Sequence, residues 1–234
     1  MTEQSTKKEN FLLNIALNIV IPTVILSKFS GEAHLGVKGG LIVALAFPIL
    51  YGVMDFFRAK KINVFSALGV VSILLTGGIS LLELDPKYIA IKEATIPAIL
   101  GLATLISLKT RYPLVKTLLF NEKIMRTDKI HEALAQAGNT LKFEKTLINA
   151  SYMIAGSFML SSILNYVLAK VLLVSAPGTE AFNAELGKMT AYSYVVIAIP
   201  SMAVLASALF YLFRSVTKLT GLPLEDVFVD PNAA

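Results

Sequence analysis

Six segments of this chain, 11–28, 39–57, 62–82, 88–108, 147–169 and 191–213, carry almost no charge and are rich in Leu, Ile, Val, Ala and Phe. The hydrocarbon core of a bilayer is about 30 Å thick, and a helix rising about 1.5 Å per residue crosses it in about 20 residues. The segments have that length. Their apolar residues run continuously instead of alternating with polar ones, which favours helices over the strands of a membrane barrel. In lipid, a helix also satisfies every backbone N–H and C=O within one segment. The expected fold class is all-α, a polytopic integral membrane helical bundle of about six spans, read as a single transmembrane domain over residues 1–234.

Composition agrees, with 55% apolar and 16% charged residues, against about a quarter charged in soluble domains. The chain has no Cys, which excludes disulfides and thiolate-held metals, and His34 and His131 stand far apart in no ligand-type spacing. No metal and no cofactor are expected. The net charge of +5 is explained by basic residues retained on the cytoplasmic side. No basic stripe interleaved with aromatics is present, so nucleic acid is not an expected partner. Lys7 and Lys8 followed by the run Phe11–Phe29 look at first like a signal peptide. The run exceeds a signal h-region of about 7–15 residues and reads as a retained first span.

Orientation follows from Lys and Arg. If the N-terminus is inside, only Lys28, Lys38, Lys87, Lys92, Lys170 and Lys188 fall outside or in the outer ends of spans, out of 21 basic residues. Both termini are therefore expected in the cytoplasm. The longest loop, 109–146, is then cytoplasmic. Within it Leu114-Val115-Lys116-Thr117-Leu118-Leu119 has helical apolar spacing, either as an interfacial helix on anionic headgroups or as part of a solvated connector. Ser175–Lys188 reads as a polar surface turn segment, and the tail after Lys218 as partly ordered and then frayed.

Four prolines lie inside spans, Pro22, Pro48, Pro97 and Pro200, and each is expected to bend its helix. Three of them belong to a weak repeat: Phe47-Pro48, Ile96-Pro97 and Ile199-Pro200 are each followed seven residues later by a polar side chain, Asp55, Thr104 and Ser207. At about 3.6 residues per turn these positions share one helix face.

Polar groups inside spans are costly and need a reason, about 2.5–3.5 kcal/mol per charge at the bilayer centre on insertion scales. Lys92 and Glu93 lie about one turn inside the fourth span, with Glu93, Pro97, Gly101 and Thr104 on one face. They form either a substrate or proton site or an interfacial pair with Lys92 snorkelling. Asp55 forms either a rim ion pair with Arg58 or a proton-linked carboxylate. Asn14 and Asn18 in the first span, and Ser157, Ser161 and Asn165 in the fifth, are one turn apart, as helix-packing groups or as substrate contacts. Gly77-Gly78 reads as a close helix approach or a kink. The candidate intramembrane polar site is Asn14, Asn18, Asp55, Lys92, Glu93, Thr104 and Asn165. No H-E-x-x-H, G-x-S-x-G or P-loop is present, so no catalytic residues and no enzyme activity are expected.

The words Phe47-Pro48-Ile49-Leu50-Tyr51-Gly52, Leu75-Thr76-Gly77-Gly78, Lys92-Glu93-Ala94-Thr95-Ile96-Pro97 and Arg111-Tyr112-Pro113-Leu114-Val115-Lys116 resemble bacterial inner-membrane proteins of the intracellular septation protein A type and their six-span relatives. The resemblance spans Phe47 to Glu122. The last two spans depart from the pattern, the cytoplasmic loop is longer, and the family's Trp residues are missing. The resemblance implies a non-enzymatic cell-envelope role beside division or wall-synthesis machinery. That function, exercised through other membrane proteins or further copies of the chain, stands ahead of the alternative, a small-solute or ion transporter built on Pro-bent helices and intramembrane carboxylates.

Overall fold

The computed structural model of the protein describes residues 13–59, 64–110, 113–120, 122 and 124–229, with backbone alone for 55–59, 64–67 and 118. Among the described residues the secondary structure is helical and contains no strand. The helices are α1 (Leu13–Lys28), α2 (Gly36–Ala59), α3 (Val64–Leu81), α4 (Lys87–Ser107), α5 (Leu114–Leu119), α6 (Thr127–Gln136), α7 (Thr140–Leu172), α8 (Glu180–Thr220) and α9 (Leu224–Val227). Four are long and apolar enough to cross a membrane: α2 over Gly36–Met54, α4, α7 and α8. Two shorter apolar helices, Leu13–Lys28 and Leu68–Leu81, fall on the other two apolar segments of the sequence.

Helix ends follow local chemistry. Asp85 starts α4 by accepting from the Lys87 N–H at 2.8 Å, and that bond, with the Lys87 ammonium beside it, holds the Asp85 carboxyl below its ordinary range. Gly138 and Gly221 take φ of +63° and +73°, where an L side chain would be strained, and so close α6 and α8. Thr179 caps α8, accepting from the Phe182 N–H at 3.2 Å.

α1 and α8 each contain a π-helical turn, Ala16–Val20 and Tyr194–Ala198. Each ends two residues before a proline, Pro22 and Pro200, within the shared pattern Ile-x-Ile-Pro-Thr/Ser. Proline has no N–H to donate and its ring crowds the carbonyl four residues back. Widening the preceding turn moves that carbonyl away, and the Ile21 N–H donates five residues back, to Ala16 O. Pro48 and Pro97 instead sit within unbroken α-helix. The local geometry thus pairs Pro22 with Pro200, whereas the sequence repeat had grouped Pro200 with Pro48 and Pro97.

The chain forms two compact units. The first comprises residues 1–95 and 163–198. Its core gathers Leu26, Leu41, Ala44, Ile89, Leu168, Phe182, Leu186 and Ile197. Residues 180–188, expected as part of a polar turn segment, belong to a helical stretch, 180–193, packed along α1. The cause is a close approach at Gly187, where a Cβ would stand 3.0 Å from Ser27 Oγ and 3.1 Å from the Thr23 carbonyl. Thr23 Oγ1 donates to the Gly187 carbonyl at 3.2 Å across the same contact. One turn earlier, buried Asn183 donates to Ser30 Oγ (3.0 Å) and to the Val37 carbonyl (2.8 Å). Glu185 accepts from the N–H groups of Val174 and Ser175 and from Ser175 Oγ, fixing the turn that leads into the helix. Two polar residues of this stretch, Asn183 and Glu185, are thus among its packing contacts. Of the two readings of Gly77-Gly78, Gly77 shows a close approach, since a Cβ there would meet Leu45 Cδ1 at 2.8 Å.

The second unit comprises residues 96–162 and 199–234. Much of the expected cytoplasmic loop is ordered helix. α5 buries Val115 against Ile154 and Ala208, and α6 buries Thr127, Ile130 and Leu134 along one face. The tail is docked: Arg126 N donates to Val227 O (3.0 Å) and Val229 N to Ile124 O (3.1 Å). Asp226 pairs with Arg126 and Lys129, and buried Val227 completes a core with Met125, Ile130, Leu134, Phe143 and Leu212. Ser157 Oγ donates to the Ser201 carbonyl at 2.6 Å, a contact between α7 and α8.

Candidate functional site

The first unit contains a cavity of about 350 Å³. α1 contributes Asn14, Asn18 and Pro22; α2 contributes Leu41, Leu45 and Pro48; α3 contributes Ser72, Ile73 and Thr76. Lys92 and Glu93 enter from α4, and Leu186, Met189, Thr190 and Tyr194 from α8. Four of the seven expected site residues, Asn14, Asn18, Lys92 and Glu93, therefore line one space. Two of the four expected bend prolines, Pro22 and Pro48, line it as well. Both π turns border it, through Asn18 and Tyr194, and π turns recur at functional sites because they re-aim side chains at little cost in backbone bonding.

The ionic centre of the cavity is Lys92 and Glu93. Neighbouring residues on a helix point about 100° apart and do not ordinarily face each other. Here both side chains bend into the same gap, with Lys92 Nζ 2.7 Å from Glu93 Oε1. The ammonium also donates to Thr76 Oγ1 (2.7 Å), Ser72 Oγ (2.9 Å) and the Ser72 carbonyl (3.2 Å). Lys92 is thus drawn across to α3, and its side chain is only 10% exposed, against 26% for Glu93. An ammonium has three protons, and four acceptors surround this one. Thr76 Oγ1 passes the chain of bonds on, donating to the Ser72 carbonyl at 3.1 Å. The group is a polar clamp between α3 and α4 that balances one positive charge with one negative.

On the cavity wall, Asn14 Nδ2 donates weakly to the Tyr51 hydroxyl at 3.4 Å. Asn18 makes no side-chain hydrogen bond among the described residues, and no partner reaches Glu93 Oε2 among them. Thr190 Oγ1 returns to the Leu186 carbonyl within its own helix.

The other expected site residues lie elsewhere. Thr104 is buried in the second unit with its hydroxyl on the Leu100 carbonyl (2.8 Å), one turn from Gly101, which packs against Ala155, Phe158 and Met159. Asn165 belongs to the first unit but is not among the lining residues. The side chains of Asp55 and Arg58 lie outside the described residues, and the rim ion pair between them with it. Sequence reasoning missed Ser72 and Thr76, although two hydroxyls one turn apart in an otherwise apolar segment were a usable signal. Thr190 fell just past the stretch read as a loop and was not weighed, and Tyr194 lay in a span chosen for its greasiness. A second, smaller cavity of about 230 Å³ in the second unit is lined in part by Thr110, Lys116, Glu144 and Ser151.

No family model, curated protein or solved structure matches the chain.

Proposed function

We propose that this chain is a six-span protein of a bacterial inner membrane, with both ends in the cytoplasm, that takes a small polar solute into the cavity of its first unit and carries it across the bilayer. The observation that supports this reading is the Lys92–Glu93 pair on the wall of a cavity formed by the apolar helices. Ionisable groups within membrane-spanning segments are costly, and where they persist they tend to mark paths for ions or solutes. The pair here faces a space with the dimensions of small-molecule sites, about 300–1,000 Å³. Pro22 on the same wall follows the π turn of α1, where the regular backbone bonding of the helix is interrupted, a recurring feature of transporter sites.

The septation-type reading, a partner-binding envelope protein, rests on the sequence words between Phe47 and Glu122. It calls for polar groups that satisfy one another. Asn18 and Glu93 Oε2 weigh against it, since neither has a hydrogen-bond partner among the described residues. No catalytic step is proposed.

Swelling of proteoliposomes in a panel of small polar solutes tests the transport reading. At least one solute should enter faster with the protein than without it, and Glu93→Gln should remove most of that gain. Swelling no faster than in empty liposomes across the panel, with the protein folded and inserted, would overturn transport.

A further inference from the structure

Counting hydrogen-bond donors and acceptors in the cavity narrows what it can hold. The ammonium of Lys92 is saturated: its three protons already have Thr76 Oγ1, Glu93 Oε1, Ser72 Oγ and the Ser72 carbonyl within 3.2 Å. An entering anion would find no donor on Lys92 without breaking this clamp, and it would face the Glu93 carboxylate. The charged capacity left over is of the opposite kind. Glu93 offers Oε2, and a carboxylate accepts at about four lone-pair sites. Asn14 keeps its carbonyl oxygen, its amide being turned to Tyr51. Asn18 keeps a whole amide, and its π turn presents it to the same space.

Resting on the transport reading above, we infer that the cavity binds a small organic cation of the primary-ammonium class, its ammonium held by Glu93 Oε2 and the side-chain carbonyl oxygens of Asn14 and Asn18. Glu93 then stands between two cations, Lys92 on one oxygen and the ligand on the other. Buried carboxylates bridging two cations are an established arrangement, and removing the carboxylate leaves like charges facing each other. Lys92 has a positioning role: it holds Oε1 so that Oε2 is turned to the ligand. The organic part of the cation meets Leu41, Leu45, Ile73 and Met189 on the remaining walls. At about 350 Å³ the space suits a small amine.

The test is ligand binding to the full chain in lipid nanodiscs, with ethylammonium, acetate and glycerol as probes, read by calorimetric titration and by the shift in thermal unfolding. Ethylammonium should bind and raise the unfolding temperature, and acetate and glycerol should do neither at the same concentration. Glu93→Gln should weaken ethylammonium at least tenfold. Asn18→Ala should weaken it several-fold without altering the fold, because that side chain makes no hydrogen bond among the described residues. This second variant decides the matter if Glu93→Gln does not fold. Binding of acetate or glycerol in place of ethylammonium, lost in Asn18→Ala, would overturn the cation assignment while leaving a solute-binding cavity in place. Ethylammonium binding unchanged in Asn18→Ala and Glu93→Gln would place the ligand elsewhere and overturn the inference. Binding of none of the three to folded protein would overturn the inference, and the transport reading would then stand or fall on liposome swelling alone.

Discussion

Replacing Lys92 by Met tests the clamp directly. Met keeps most of the aliphatic stem and removes the ammonium. The structure then leaves Glu93, 26% exposed at its side chain, without its counter-ion, and it leaves Ser72 Oγ and Thr76 Oγ1 without a donor. Deleting one partner of a buried pair costs about 3–5 kcal/mol. The partial exposure of Glu93 lowers the expectation to about 2–3 kcal/mol, since screening relieves a carboxylate that is not fully enclosed. At about 2–4 °C per kcal/mol for a chain of this size, unfolding should fall by about 4–12 °C. The double variant Lys92→Met/Glu93→Gln removes both charges and should recover more than half of that loss, because the stranded carboxylate is the larger part of the cost. The assay is thermal unfolding of the four proteins of the cycle in one detergent or nanodisc preparation, with the coupling energy taken from the four values. A coupling near zero, with the double variant as unstable as the sum of the singles, would refute the ion pair as what holds Lys92 inside.

Other consequences are as direct. Thr76→Val removes one acceptor from a charged donor and should cost about 1–3 kcal/mol, read as the same thermal shift. Gly187→Val should cost about 1–3 kcal/mol and loosen the helix 180–193 from α1, because the new side chain has the Thr23 carbonyl in its way; faster amide exchange over 180–193 would show it. Leu134→Ala should cost about 2–5 kcal/mol and release the tail, read as proteolysis after Gly221, since Leu134 is fully buried in the core that Val227 completes. The depressed Asp85 carboxyl stabilises the start of α4 at pH values above its unfolded range. That contribution is lost as pH falls through the lowered folded value, so Asp85→Asn should flatten the acid limb of a stability profile, and an unchanged limb would contradict the helix-start role.

The apolar cores of the four helices long enough to cross a membrane were legible in the sequence, because length and continuous greasiness are all that a span requires. The four residues that meet at the cavity were legible for a related reason, since Asn14, Asn18, Lys92 and Glu93 are costly in lipid and so stand out from their surroundings. Ser72 and Thr76 were passed over because a hydroxyl in a membrane helix can satisfy itself on its own backbone, as Thr190 does, and carries no comparable penalty. Residues 180–188 read as part of a turn segment because Pro177 and Gly178 precede them and Glu180 and Glu185 lie among them. Its packing rests on Gly187 and Asn183, whose partners lie more than a hundred residues away in sequence. The docked tail was hidden in the same way. The contact of Val227 with α6 follows from tertiary burial of a short apolar word, Val227-Phe228-Val229, next to residues that read as frayed. The π turns follow from proline chemistry, but locally Pro22 and Pro200 differ from Pro48 and Pro97 only in the Ile three residues before them and the Thr or Ser after them.

The chain has no cysteine of its own, so single cysteines can report where water reaches. Alkylation by a maleimide needs thiolate and therefore water. In liposomes, Asn18→Cys and Leu45→Cys on the cavity wall should be modified, and ethylammonium should slow the reaction at Asn18→Cys. Ile42→Cys, on an outer face that is 55% exposed in the bare protein, should stay unmodified under lipid. Modification of Ile42→Cys as fast as Asn18→Cys, or of neither, would contradict a solute-accessible cavity among membrane-spanning helices.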